Sequence, residues 1–193
     1  MDKTYADTVR LLLAVAPDVF ANDIFAMKGG TAINLFVRDM PRLSVDIDVV
    51  YLPWQTPRDE ALQAINQELA AIATRVAPLG VQTRLVRAKD LGDTKLIVEN
   101  DASQVKIEVN VVFRGSVLPV ERRPLSAKTS DLFGVEFELP VLAPDELYAS
   151  KLVAALDRQH PRDLFDVWQL YESGDISDGM VECFVIYLAG HNR

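Results

Sequence analysis

Residues 28–51 read KGGTAINLFVRDMPRLSVDIDVVY, and this stretch decides the fold. Gly29 and Gly30 break a short apolar strand over 24–27 from a helix-like run carrying Ile33, Leu35 and Phe36, with Thr31 placed to cap that helix. A second strand is expected over 45–51. Side chains on a strand alternate faces, so Asp46 and Asp48 point the same way, with Cα atoms roughly 6.6 Å apart. Val45, Ile47 and Val49 point into a core. Two carboxylates on one face of a central strand repel each other and lose hydration on burial, so something must compensate. A strand with one solvated face would carry such a pair with no site at all; a divalent cation such as Mg²⁺ is the functional alternative.

The surroundings favour a site. Two glycines between a strand and a helix let backbone approach a ligand closely, and a helix amino end attracts phosphate. Downstream, in QVKIEVNVVF, Val105, Ile107, Val109 and Val111 form one face, and Lys106, Glu108 and Asn110 the other. Glu108 reads either as an ordinary edge-strand glutamate or as the third carboxylate of a two-metal site that aligns an attacking oxygen with an α-phosphate. A phosphate cradle beside metal-binding carboxylates is the outline of a nucleoside triphosphate site. Gly29, Gly30 and Thr31 are the candidates to hold phosphate. Ser44 lies two residues before Asp46 on the same face, and Lys28 directly precedes the glycines; both are candidates to reach phosphate.

Outward from this stretch, residues 3–20 and 58–77 read as helices, the first amphipathic and the second opened by Pro57. Strands are expected over 81–86, 94–99, 103–113 and 135–139, with Asn100-Asp101 as a hairpin turn. Helices return over 145–156, 161–171 and 179–188, two of them with proline in the first turn. This order predicts an α+β fold: a mixed sheet flanked by helices, with a small C-terminal helical lobe. The expected division is 1–142 for the core and 143–193 for the lobe. Phe165, Trp168 and Tyr171 recur at helical spacing and are expected to pack in the core.

The bulk numbers limit the function classes. The chain has 193 residues, 49% hydrophobic and 25% charged, as globular domains do. A net charge of -8 argues against nucleic-acid or anionic-membrane binding over the whole surface, so any such contact must concentrate in a local patch. The single cysteine, Cys183, rules out an intrachain disulfide and reads as a small buried hydrophobe. No apolar run is long enough to span a bilayer and no cleavage pattern marks a signal peptide, so a cytoplasmic protein is expected.

GGTAINLF followed by RLSVDIDVVY resembles the nucleotidyltransferase toxins of the AbiEii/AbiGii abortive-infection type, of the DNA polymerase β-like nucleotidyltransferase superfamily. A second signature lies in DELYASKLVAALDRQHPRDLFDVWQL, residues 145–170, where Lys151, Arg158, Arg162, Asp163, Phe165 and Asp166 match the family pattern in order. The resemblance implies a nucleotidyltransferase-type sheet and Mg²⁺-dependent transfer of a nucleotide from an NTP to an acceptor hydroxyl, on RNA such as tRNA. It also implies a cognate antitoxin protein and a longer helical end than the one closing on YLAGHNR. Asp46 and Asp48 would be metal ligands, with Glu108 as third ligand or as base. Lys151 would offset charge on the triphosphate, with Asp163 orienting Lys151 or Arg162. Arg158, His160 and Arg162 would grip an acceptor phosphate, with His160 as a loop residue rather than a zinc ligand. The same residues leave open nucleotidylation of a small molecule or protein, or a non-catalytic NTP-binding module that works through a partner.

Overall fold

A computed structural model of the chain describes residues 2–88, 92–174 and 176–190. Its centre is a mixed sheet of seven strands in the order β3-β4-β5-β2-β1-β7-β6. The strands are β1 (Phe25–Lys28), β2 (Ile47–Tyr51), β3 (Gln82–Ala88), β4 (Gly92–Glu99), β5 (Gln104–Asn110), β6 (Glu121–Pro124) and β7 (Glu138–Val141). The helices are α1 (Lys3–Val19), α2 (Gly29–Ala32), α3 (Arg58–Val76), α4 (Ala127–Phe133), α5 (Pro144–Arg158), α6 (Pro161–Ser173) and α7 (Asp178–Ala189). The α+β class with helices flanking a mixed sheet is thus as the residue pattern predicts.

Strand pairing sorts side chains between two faces. β2 runs antiparallel to β1 and parallel to β5, so Lys28, Asp48 and Glu108 stand side by side across three strands. The next residues in register, Met27, Val49 and Val109, belong to the other face. There Leu96 and Ile107 pair across β4 and β5, as do Val98 and Val105, all fully buried. α1 and α3 pack on this apolar side, contributing Val9, Leu12, Ile65, Leu69 and Ile72. Cys183 is buried, as expected.

The β4–β5 turn forms as Asn100 predicts. Its side-chain oxygen accepts from the Ala102 and Ser103 amides at 3.0 and 2.9 Å, fixing the chain reversal. Several expectations need correction. The helix after the paired glycines starts at Gly29, with Lys28 at its N-cap and no capping side chain, so Thr31 is internal rather than a cap. It continues as a π-helical turn over Ile33–Val37. β2 begins at Ile47, which leaves Asp46 in the extended approach to the strand. β6 has no counterpart in the sequence reading: its ERRP carries no run of β-branched or aromatic residues, and its place depends on pairing with β7. α4, absent from the expected elements, carries local signals of its own: Ser126 caps it by accepting from the Thr129 amide, and Gly134 closes it in the left-handed region at φ 66°.

Phe165, Trp168 and Tyr171 are not core residues. Trp168 and Tyr171 are exposed, Tyr171 by 75%, and Phe165 packs at a tilt on Trp168, ring centres 5.7 Å apart. α6 instead turns Asp163, Asp166 and Leu170 inward, so the buried face of this helix is largely ionic.

Candidate active site

Two cavities meet at Asp48. The larger, about 500 Å³, is lined on its polar side by Lys28, Asp48, Glu108, Asn110, Lys151 and Arg158. Its apolar wall includes Val109, Phe113, Val153 and Tyr187. The smaller, about 180 Å³, is walled by Gly30, Arg42, Ser44, Asp46, Arg162 and Asp163 and shares Asp48, Glu108, Lys151 and Arg158 with its neighbour. Both aspartates of the DID run therefore open onto one space.

Local structure explains this placement. Gly29 sits at φ +77°, where an L side chain is strained, and a Cβ there would collide with the Asp48 carboxylate. A Cβ at Gly30 would strike the Arg42 guanidinium and come within 3.0 Å of Ser44 Oγ. The glycines thus let α2 approach the carboxylate strand. Thr31 is buried and lines neither cavity; its hydroxyl donates to the Asp46 carbonyl at 2.5 Å and lies 3.0 Å from Ser44 Oγ. It straps the Asp46 approach to α2 and is not free to hold phosphate, contrary to the expectation from the motif.

The acids are unequal. Burial raises the Asp48 carboxyl to about 6; Lys28 and Lys151 pull it down, while Asp46 and Glu108 push it further up. Burial lowers Lys28, against the opposing pull of Asp48 and Glu146. Lys28 lies in the larger cavity, its Nζ 5.8 Å from the Tyr187 ring centre. Glu108 is engaged by Lys95 at 2.8 Å. Among the described residues no three His, Cys, Asp or Glu side chains stand together as a finished metal-binding group, so Asp46, Asp48 and Glu108 do not form a closed triad. The Asp46–Asp48 pair still fits a divalent cation: partly desolvated like charges with a raised carboxyl are what a cation stabilises.

Behind the acids stands an ionic lattice. Asp166, 1% exposed, accepts from Arg42 Nε and Nη2, both at 2.6 Å, and lies 3.3 Å from Lys151 Nζ. Lys151 also donates to Asp163 at 3.1 Å, and Arg158 reaches Asp163 at 2.8 Å. Burial pushes Asp163 up, but Lys151 and Arg158 outweigh it and hold its carboxyl below the usual range. Asp163 therefore orients Lys151 and Arg158; no contact ties it to Arg162, which is exposed on the wall of the smaller cavity. His160 caps α6, its Nδ1 accepting from the Arg162 amide at 3.1 Å.

Two contributors escaped the sequence reading. Arg42 is held between the π-helical turn and α6, its amide donating to Asn34 Oδ1 at 3.1 Å; its only sequence signal is a place four residues before Asp46. Glu146 is fully buried and accepts from the Val117 and Leu118 amides, both at 3.0 Å, and from the Tyr187 hydroxyl at 2.9 Å. It ties the loop after β5 and α7 to α5, shaping the larger cavity. In sequence it looks like an ordinary acid in a first helical turn.

A mixed sheet thus carries a carboxylate pair beside a glycine turn, backed by a buried lysine. The family of nucleotidyl transferase AbiEii toxins of type IV toxin–antitoxin systems matches residues 10–193, and the chain belongs to that family. Among solved structures it is similar to MenT4, a nucleotidyltransferase toxin from Mycobacterium tuberculosis H37Rv, with a TM-score of 0.61 and 22% identity over 95% of this chain. The match spans 65% of the MenT4 chain. The antibiotic-resistance factor ANT(2'')-Ia is similar at a TM-score of 0.54 and 14% identity, over 98% of this chain and 94% of its own. At these identities both show the shared fold. No curated protein matches the sequence significantly.

Proposed function

We propose that the protein is a Mg²⁺-dependent nucleotidyltransferase that moves a nucleotide from an NTP to an acceptor hydroxyl on RNA such as tRNA, as the toxin of a toxin–antitoxin pair. The observation that carries this reading is the opening of Asp46 and Asp48 onto one space between a polar and a partly apolar cavity. The polar cavity suits a triphosphate: Gly30 backbone, Ser44, Arg42, Arg162 and Lys151 surround it. The larger one has room and an apolar wall for the nucleoside.

Asp46 and Asp48 would hold the metal, which when bound would supply the positive charge that polarises the phosphate. The acceptor hydroxyl oxygen forms a bond to the α-phosphorus, the bond from that phosphorus to the bridging oxygen of the β-phosphate breaks, and pyrophosphate leaves. The hydroxyl proton passes to Glu108 and then to water. Lys151, held by Asp163 and Asp166, supplies positive charge beside the departing pyrophosphate. Lys28 sits across from Asp48 on the nucleoside side.

The test is incubation with each labelled NTP, Mg²⁺ and total tRNA, beside Asp46→Ala. Label on RNA from the wild type alone supports the proposal. Label on protein or a small molecule, with none on RNA, would redirect it to another acceptor; bound NTP without any transfer would leave a binding module.

A further inference from the structure

The sheet face that carries the acids continues past them, uncovered. Lys95 pairs with Glu108 and Val86 with Lys95, which extends the Asp48–Glu108 row to the sheet edge. A second row lies beside it. Arg84 is in register with Ile97, and Ile97 with Lys106. β2 and β5 are parallel with Asp48 opposite Glu108, so two residues back on each chain Lys106 comes alongside Asp46, just ahead of β2. Arg84 and Lys106 are both exposed. The apolar helices α1 and α3 pack on the opposite face.

Charge on this face is selective. Lys95 is neutralised by Glu108, and Glu99, which accepts from Gln104 at 2.9 Å, keeps its negative charge in the next row, farther from Asp46. Arg84 and Lys106 have no ion-pair partner among the described residues, and Ile97 between them is only 8% exposed. Neighbouring strands lie about 4.8 Å apart, so the row carries free positive charge from Asp46 to a point about 14 Å away. In a chain of net charge -8, two unpaired cations aligned with a catalytic acid form a local track for a polyanion.

We propose that the open face of β3, β4 and β5 is the bed of the acceptor RNA, with Lys106 and Arg84 beside its phosphates and its reactive hydroxyl delivered to the cavity at Asp46. This rests on the nucleotidyl-transfer reading and adds the path of the acceptor. Neither residue lines the cavities, so neutralising the two side chains leaves the nucleotide's own contacts in place.

The experiment compares wild type with the double variant Arg84→Gln/Lys106→Gln, which removes both charges without adding an acid beside Asp46. It measures binding of fluorescently labelled total tRNA by anisotropy at several salt concentrations, NTP binding by calorimetry, and label transfer to the same tRNA. The expected result is unchanged melting and NTP affinity, RNA affinity down about tenfold or more at low salt, and a salt dependence flatter by about 1.4 in logarithmic slope. RNA binding that depends on the two residues without any transfer would uphold the surface and sink the transferase reading. Transfer to RNA with equal binding and labelling by both proteins would overturn the surface and leave the transferase reading standing. A wild type that binds no RNA overturns the surface outright.

Discussion

Asp48 pays a stability cost for its position. Its carboxyl is raised to about 6 in the folded protein, against an ordinary value of 3.8. A carboxyl that is harder to ionise when folded costs stability above both values, and the cost fades as pH falls from about 6 toward 4. Asp48→Asn never ionises, so it is expected to abolish transfer yet stabilise the metal-free protein by about 2 kcal/mol near pH 8, after allowance for solvent screening. Urea unfolding with chelator present, at pH 8 and pH 4.5, reads this directly: the gain should shrink at the lower pH, and a gain that grows there would contradict the assignment. Gly29→Ala tests the same contact from the other side. It places a methyl against the Asp48 carboxylate at a positive φ, and about 1–3 kcal/mol of destabilisation with loss of transfer is expected from a melting curve and the labelling assay.

At the scale of elements, α6 is held by buried charge. Asp166 serves the buried Arg42 and Lys151 together, so for Asp166→Asn a loss of about 3–5 kcal/mol is expected, larger than that of Asp163→Asn, which also contacts Lys151 but whose second partner, Arg158, is largely exposed. Denaturant midpoints of the two variants check the ordering, and equal losses would contradict it. Thr31→Val keeps the volume and cuts the strap to Asp46; stability should fall by about 1 kcal/mol while transfer falls tenfold or more. The same elements show what could be read in advance. The KGG turn, the DID strand and the alternation around Glu108 carry their own periodicity, so β1, β2, β5 and the shared face were legible. Thr31, Phe165, Trp168 and Tyr171 were misread because a cap, a strap and a core position share residue types; only the third dimension separates them. β6 and the Arg42–Asp166 pair depend on contacts between segments far apart in sequence, which no local pattern encodes.

Across the whole molecule, the sheet divides the work. One side is apolar and sealed by α1 and α3; the other carries the acids, two cavities and an open cationic row. No described helix is long and apolar enough to cross a membrane. Because the acids repel one another in the empty protein, Mg²⁺ with NTP should raise the melting temperature of the wild type in proportion to the logarithm of ligand concentration, and should do so far less for Asp48→Asn. The most direct measurement remains label transfer from each radiolabelled NTP to total tRNA with Mg²⁺, set beside Asp46→Ala and beside excess chelator. Labelled RNA from the wild type with Mg²⁺ and from neither control is the predicted result; equal labelling by Asp46→Ala would contradict the claim that the paired aspartates run the chemistry.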